Sequence, residues 1–509
     1  MKSISGKDYF LNLKKNADLK RFGVTFQTSN NTYFYDAGTG KVVLLDEMSK
    51  PIILALFNEK TDLRSFESLL SNDKNTNYAS SFFQHEHLLM RPSNARFYDL
   101  SPFLSESSLQ CQQLIIELTG KCNLRCQYCI YNDHYEHNRA FNEEAIDFET
   151  AKKAIDYAYA HRSPKMFAIG FYGGEPLLNF KVMKQCIEYC LTQYKENAPI
   201  FSFTTNLTLM SKEIADFLAQ VPNMSIIASI DGPKTIQNEN RTFANGAPTF
   251  DAVLQGLRNL CDAIAKHNSN CRVNINTVFM PPYTEKRFSI INDFFESLSF
   301  LPPNTEVTAT YPAPGSIPES FIERINSQGS SDRSETRWMD WAIEKMNLHK
   351  GLPNSPNLYS TLLMRTLGDI HFRRLSDRPF EQDCLNACCI PGNRRLYVCT
   401  NGAYKLCEKM GNSPYIGHVN SGINFEVIKD YYIDQYEEAS IEDCSNCWAI
   451  NLCSLCYSLC YEQSGINMET KRMNCEYARE SALSNLQVYH EVLEKYPNII
   501  SAVSTLERS

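Results

Sequence analysis

The sequence predicts an α/β chain organised around parallel strands, and three observations predict it. From Cys111 to Pro312, six apolar, β-branched stretches alternate with amphipathic stretches of helical period, the pattern of parallel βαβ units. A C-x3-C-x2-C triplet (Cys122, Cys126 and Cys129 in LTGKCNLRCQYCIYN) follows the first of those stretches, and α/β barrels keep their chemistry at the C-terminal ends of their strands. A second cysteine field places eleven thiols between Cys384 and Cys475, which marks a separate unit.

Residues from about Phe22 to Leu100 form a cysteine-free unit. GVTFQTSN and NTYFYDAG read as alternating strands around an Asn30-Asn31 turn, KVVLLD as a third, and EMSKPIILALFNEK with DLRSFESLLSND as two amphipathic helices. Strands are then expected at QLIIELT, KMFAIGFY, IFSFTTN, SIIASID, RVNINTVF and EVTATYP. Helices are expected at ETAKKAIDYAYAHR, KVMKQCIEYCLTQYK, KEIADFLAQV and FDAVLQGLRNLCDAIAKH. Beyond Ala313 the SQGSSDRSE run marks an exposed loop, followed by helices carrying Trp338 and Trp341 as core residues. LYVCTNGAYKLC reads as a hairpin turning at Asn401-Gly402, and EYARESALSNLQVYHEVLEKY as a final helix before a short tail. The expected units are 1–100, 101–312, 313–383, 384–480 and 481–509.

Composition narrows the function. The 509 residues carry a net charge of -8, so there is no electrostatic footprint for nucleic acid. MKSISGKDYFLNLKK lacks an apolar signal core, and no apolar run reaches about 18 residues. The expectation is a cytoplasmic protein with neither nucleic acid nor membrane as partner. In that reducing compartment, 19 thiols are metal ligands or small buried hydrophobes rather than disulfides.

The triplet supplies three soft thiolates on one short segment, enough to hold three irons of a four-iron cluster and leave the fourth open to a small chelator. A zinc knuckle is the alternative, but zinc sites usually take paired C-x2-C arms, and here an aromatic, Tyr128, precedes the last cysteine. The motif resembles that of radical S-adenosylmethionine (SAM) enzymes, whose six βα units form a partial (β/α)6 TIM-like barrel. The resemblance implies a [4Fe-4S] cluster on Cys122, Cys126 and Cys129 as the catalytic centre, with SAM on the open iron. Reduction by an external one-electron donor such as flavodoxin or ferredoxin would release methionine and a 5′-deoxyadenosyl radical.

After the second strand, Gly173-Gly174-Glu175-Pro176 resembles the family's motif for the SAM amino group. Its glycines allow close backbone approach and Glu175 can accept from an ammonium. Ser229 and Arg241, the latter in the loop ENRTFANG, are expected to meet the SAM carboxylate, a task that suits the planar arginine fork. Asn206 is a further candidate contact; for it, and for Asn274 and Asn276, ordinary strand-end hydrogen bonding is the alternative.

The second cysteine field, C-x12-G-x4-C from Cys389 through Gly402 to Cys407, then Cys444, Cys447, Cys453, Cys456, Cys460 and Cys475, closely resembles the SPASM domain of radical SAM enzymes that modify peptides. The resemblance implies two auxiliary [4Fe-4S] clusters, one on Cys384, Cys389, Cys407 and Cys460, the other on Cys444, Cys447, Cys453 and Cys475. The chain departs from the usual pattern, because Tyr457 occupies the place of one cysteine. Cys456 or Cys460, and Cys384 or Cys388, remain alternatives for the first cluster.

The N-terminal unit resembles the winged-helix-like RiPP recognition element, which binds the leader of a precursor peptide by adding it as a strand to a sheet edge. Together these resemblances imply a maturase that crosslinks a ribosomally made peptide, with a cysteine thioether as the expected bond. The alternatives are a formylglycine-forming enzyme of the anaerobic sulfatase-maturase type and a non-catalytic, zinc-stabilised peptide-binding scaffold.

Overall fold

A helix and a three-stranded sheet open the computed structural model, which describes residues 5–92, 96–135, 138–313, 315–327, 335–349, 357–384 and 386–504. Helix α1 (Gly6–Asn16) starts at Ser5, whose side chain accepts from Asp8 N, an N-cap bond. Strands β1 (Gly23–Gln27), β2 (Thr32–Asp36) and β3 (Val42–Leu44) pair antiparallel in that order, followed by α2 (Lys50–Phe57), α3 (Leu63–Leu69) and α4 (Asp73–His85). The expected β-β-β-α-α unit is thus framed by two more helices. The buried positions of α4 are Thr76, Ala79, Ser80 and Phe83, so half its inward stripe is hydroxyl and the apolar period is faint. Phe34 enters a local core with Phe10, Ile53, Phe66 and Phe83. Tyr33 and Tyr35, on the opposite face of β2, join the main core instead.

The barrel runs β4 (Gln113–Thr119), β5 (Leu124–Cys126), α5 (Phe148–Ala160), β6 (Ala168–Gly173), α6 (Phe180–Gln193), β7 (Ile200–Thr205) and α7 (Lys212–Ala219). It continues with β8 (Met224–Ser229), α8 (Lys234–Asn240), β9 (Arg241–Phe243), α9 (Phe250–His267), β10 (Arg272–Val278), α10 (Glu285–Ser297) and β11 (Val307–Thr310). The six strands β4, β6, β7, β8, β10 and β11 pair in parallel in chain order, which is the expected open barrel. Besides α8 and α10, which the sequence reading did not name, two short strands differ from it. Strand β5 lies inside the cysteine triplet and pairs antiparallel with β9, setting Cys126 opposite Arg241; both were expected in loops, because three residues are too few for alternation to show.

Helices α11 (Glu319–Ser327), α12 (Glu335–His349) and α13 (Leu358–His371) follow. Trp341 packs edge-on against Phe288 and Tyr359 as a core residue, whereas residues 328–334 of the expected loop and the Trp338 side chain lie outside the described residues. Strands β12 (Arg395–Val398) and β13 (Ala403–Lys405) form the expected hairpin, with Gly402 at φ 85° in the turn. What the sequence did not reveal is that β12 pairs in parallel with β4, Val398 opposite Ile116. One ten-stranded sheet therefore continues from the barrel through β13 to β14 (Gly417–His418) and β15 (Gly422–Ile423).

The remainder comprises α14 (Phe425–Val427), a π-helical turn Ile428–Asp434, α15 (Gln435–Ser445), the ribbon β16 (Tyr461–Glu462) and β17 (Gly465–Ile466), α16 (Met468–Lys495) and α17 (Pro497–Val503). The side chain of Asn467 accepts from Thr470 N and starts α16, so Cys475 sits within a helix that the sequence reading began only after it, and the boundary at 480 cuts that helix. The expected tail contains α17. Among the described residues, no helix is long and apolar enough to cross a membrane.

The N-terminal sheet docks on α16. Thr28 Oγ1 and Tyr33 Oη each donate to Glu494 Oε1 at 2.7 Å, and Ser29 N donates to Glu491 Oε2 at 2.8 Å. These bonds occupy the β1–β2 end, while β3 is an edge strand with Leu44 54% exposed. The His490 ring packs against Phe26 and Tyr33 in this joint, and its Nδ1 donates to Leu486 O.

Burial, aided by Arg373 and opposed by the Leu486 bond and Glu494, lowers the His490 pKa from 6.5 to about 4. The native state keeps the ring neutral where the unfolded chain takes up a proton, so this stability is present above pH 6.5 and lost as pH falls toward 4. The full effect is about 3 kcal/mol. His490→Gln should flatten the fall in urea midpoint between pH 7 and 5; an unchanged fall would assign it to other groups.

Candidate functional site

The C-terminal ends of β6, β7, β8, β10 and β11 and the segment that follows β4 open into one cavity of about 640 Å³. Cys122, Cys126, Tyr128, Cys129, Gly173, Gly174, Glu175, Asn206, Ser229 and Arg241 all line it. Pro176 does not. It opens a 3-10 turn, Pro176–Asn179, where its fixed φ suits the first position. Asn276 lines the cavity, whereas the Asn274 side chain accepts from Glu306 N.

The glycines after β6 have a nearer neighbour than a ligand. Gly173 has φ 130°, and a Cβ there would lie 2.3 Å from Thr119 O; a Cβ on Gly174 would lie 1.9 Å from Lys121 O. Gly174 N donates to Thr119 O and Glu175 N to Lys121 O. The absence of side chains lets this loop lie directly on the backbone leading into Cys122. Glu175 is buried and accepts from Leu177 N, Thr205 Oγ1 and Asn206 N. Burial lifts its pKa to about 7 against those bonds. With three of roughly four acceptor positions used, one is left for a further donor.

Asp231, fully buried, ties the cysteine segment to the barrel. Its carboxylate accepts from Tyr128 Oη at 2.8 and 3.0 Å, Asn240 Nδ2 at 3.1 Å and Val278 N at 3.1 Å. It also pairs with Arg241 Nη2 at 3.1 Å. The sequence showed this aspartate only as the last residue of SIIASID; its role depends on four partners from three other segments. Arg241 lies over the Tyr128 ring at 5.3 Å, and its Nε is buried with no protein partner. A cavity-lining guanidinium with one donor unused fits a carboxylate-bearing ligand such as SAM.

The thiols fit a cluster. Burial raises the pKa of Cys122 to about 12 and those of Cys126 and Cys129 upward as well. Arg241 opposes this at Cys126, and Arg241, Arg139 and Arg125 oppose it at Cys129. Leu124 N donates to Cys122 Sγ at 3.4 Å. Buried thiols of this kind ionise when metal takes up their charge, and the adjacent N–H and guanidinium groups suit the resulting thiolates. Among the described residues, no three Cys, His, Asp or Glu side chains converge as ligands of a single ion.

In the second field, Cys444, Cys447, Cys453 and Cys475 lie within one another's electrostatic reach. The buried Lys471 Nζ sits 3.9 Å from Cys444 Sγ and 4.0 Å from Cys475 Sγ. Cys407 is within reach of Cys456, and Cys388 of Cys460 and Cys456, while Cys456 itself lines the cavity. Cys460 turns back, donating to Cys456 O and Tyr457 O. Of the two alternatives, Cys456 is therefore the one facing Cys407 and the cavity. Cys384 Sγ accepts from Arg374 and Cys389 Sγ from Arg394, at 3.7 and 3.8 Å. Lys409, Ser454 and Ser458 also line the cavity; no sequence signal pointed to them, because they arrive only through the sheet extension. Cys186 and Cys190 are fully buried on α6, the core hydrophobes expected.

Fold and cavity together define an α/β partial-barrel protein with three thiols at the strand C-termini. Residues 116–295 match the model of the Radical SAM superfamily, so the chain carries a radical SAM domain. It is 35% identical over 146 residues to an uncharacterised protein of Methanocaldococcus jannaschii, covering 29% of this chain and 47% of that one. It is 29% identical over 172 residues to a cysteine-type anaerobic sulfatase-maturating enzyme of Clostridium perfringens, covering 32% of this chain and 44% of that one. The matches thus span under half of each relative's length. The structure of native anSMEcpe with bound AdoMet and Cp18Cys peptide superposes with a TM-score of 0.51 at 16% identity, covering 78% of this chain and 100% of that chain. That likeness is one of fold.

Asp231→Asn leaves the buried Arg241 unpaired, a change that costs about 3 to 5 kcal/mol. The expected result is a lower thermal midpoint together with poorer iron retention in anaerobically reconstituted protein; wild-type values for both would remove Asp231 as the anchor.

Proposed function

We propose that the chain is a radical SAM maturase that installs a crosslink, most simply a cysteine thioether, in a ribosomally made precursor peptide. The observation that carries this reading is that one cavity is lined both by Cys122, Cys126 and Cys129 and by Cys456, Ser454, Ser458 and Lys409 of the second cysteine field. Cys122, Cys126 and Cys129 would hold a [4Fe-4S] cluster, and two auxiliary clusters would take eight of the later thiols. When bound, the first cluster and SAM supply a carbon radical able to remove hydrogen from an unactivated C–H bond, chemistry beyond any side chain.

The chain's own residues do the rest. Glu175 keeps an acceptor for the SAM ammonium, the Arg241 guanidinium answers its carboxylate, and Ser229 and Asn206 complete the polar wall. Tyr128, Tyr131 and Tyr311 line the same cavity and limit solvent around a reactive centre. Residues 1–100 would hold the leader along β3, whose outer edge carries no strand among the described residues, by strand addition. A sulfatase-maturase-like oxidation of a cysteine to formylglycine is the second reading, favoured by the similarity to the C. perfringens enzyme.

Anaerobically reconstituted protein should contain about twelve irons, three four-iron clusters, whereas zinc in their place would support the scaffold reading. Cys126→Ala should lower the count by about four and abolish 5′-deoxyadenosine formation; undiminished nucleoside would remove the catalytic assignment. Co-expression with a cysteine-bearing precursor should lower its mass by two hydrogens per crosslink, and a formylglycine product would instead establish the second reading. Leu44→Asp, at an exposed position of β3, should weaken leader binding at least tenfold by titration without changing uncoupled SAM cleavage. Equal affinity would reject the recognition role of this edge.

A further inference from the structure

We propose that Lys471 tunes the iron-sulfur centre at Cys444, Cys447, Cys453 and Cys475, donating N–H···S bonds to two of its thiolates and raising its reduction potential. This rests on the reading of those four cysteines as cluster ligands. The lysine is only 1% exposed, with Nζ 3.9 Å from Cys444 Sγ and 4.0 Å from Cys475 Sγ. It precedes Cys475 by four residues on α16, so both side chains leave the same helix face. On its other side the ammonium lies 5.5 Å from the centre of the Tyr436 ring.

A buried ammonium is costly unless negative charge answers it. Among the described residues, the hydrogen-bond acceptors at Lys471 Nζ are the two sulfurs. Neutral thiols would leave it uncompensated, whereas four cysteinates on an iron-sulfur core carry the charge it needs. A second buried cation, Arg91, reaches the backbone of the same segment, donating to Cys447 O at 3.0 Å and Cys444 O at 3.3 Å. Arg91 is answered by Asp383 at 3.5 Å and Arg479 acts on Cys475 from one turn further along α16, so among the described residues Lys471 is the cation within hydrogen-bond reach of two of these sulfurs. Reduction adds one electron and one negative charge. A positive charge and N–H donors at the sulfurs stabilise that form and move the potential upward.

The test uses the full chain with Cys122, Cys126 and Cys129 replaced by Ala, so that only auxiliary centres remain, in a potentiometric titration followed by electron paramagnetic resonance. Lys471→Gln should shift one transition to more negative potential by at least tenfold in the reduced-to-oxidised ratio, 59 mV for a one-electron couple. Lys471→Arg should leave it near the parent value. A Lys471→Gln protein that keeps its iron with an unmoved potential overturns the proposal while leaving the cluster reading intact. A parent protein that binds no iron at these cysteines overturns both. Should Lys471→Gln lose four irons, retention of them by Lys471→Arg supports the charge role, and loss in both variants reduces Lys471 to a space-filling part.

Discussion

Backbone pairing between β4 and β12 is the interaction on which the architecture depends. β4 delivers Cys122 and its neighbours to the cavity, and β12 begins the hairpin that leads to Cys407. Four residue pairs in parallel register, from Arg395 opposite Gln113 to Val398 opposite Ile116, join them. Parallel ladders are well held when both faces are covered, and Ile115, Tyr397 and Cys399 pack together on one face while Leu114, Ile116, Leu396 and Val398 enter the main core on the other. Because this edge of the barrel continues into the second cysteine field, Ser454, Cys456 and Ser458 meet the cavity.

Around the cavity, position is specified by buried charge. Asp231 with Arg241 and Tyr128, Glu117 with Arg139, and Arg91 with Asp383 join separate segments of the chain. Such pairs contribute little net stability, because each must first lose its water. Breaking one leaves a charge stranded, so each pair constrains where its segments can sit. Tyr128 and Arg241 both reach Asp231, which ties the cysteine segment to the β8–β9 connection.

The N-terminal sheet is divided between two cores. One face of β2 packs on its own helices and the other on α16, with Glu494 collecting bonds from Thr28, Asn30 and Tyr33. Tyr35 meets Trp448 edge-on and Asn451 Nδ2 donates to Ala37 O, so the unit also touches the loop between Cys447 and Cys453. A peptide laid along β3 would therefore sit on a body already in contact with the cysteine field.

The six parallel strands, four of the barrel helices, the hairpin at Asn401-Gly402 and several cavity-lining residues at strand ends, among them Gly174, Glu175 and Ser229, were legible in the sequence, whereas Tyr172, Val278 and Thr310 were not. Apolar alternation, turn chemistry and position relative to a strand are local properties that a linear chain displays directly. The β5–β9 ribbon, the polar stripe of α4 and the early start of α16 were not, since three-residue strands, hydroxyl-lined helix faces and a cap within a cysteine-rich stretch carry little periodic signal. Sequence alone also named Cys456 and Cys460 without separating them. Tertiary structure alone turned Cys456 to the cavity, set Lys471 among sulfurs and gave Asp231 its partners, because each depends on segments brought together by sheet pairing and burial rather than by spacing along the chain.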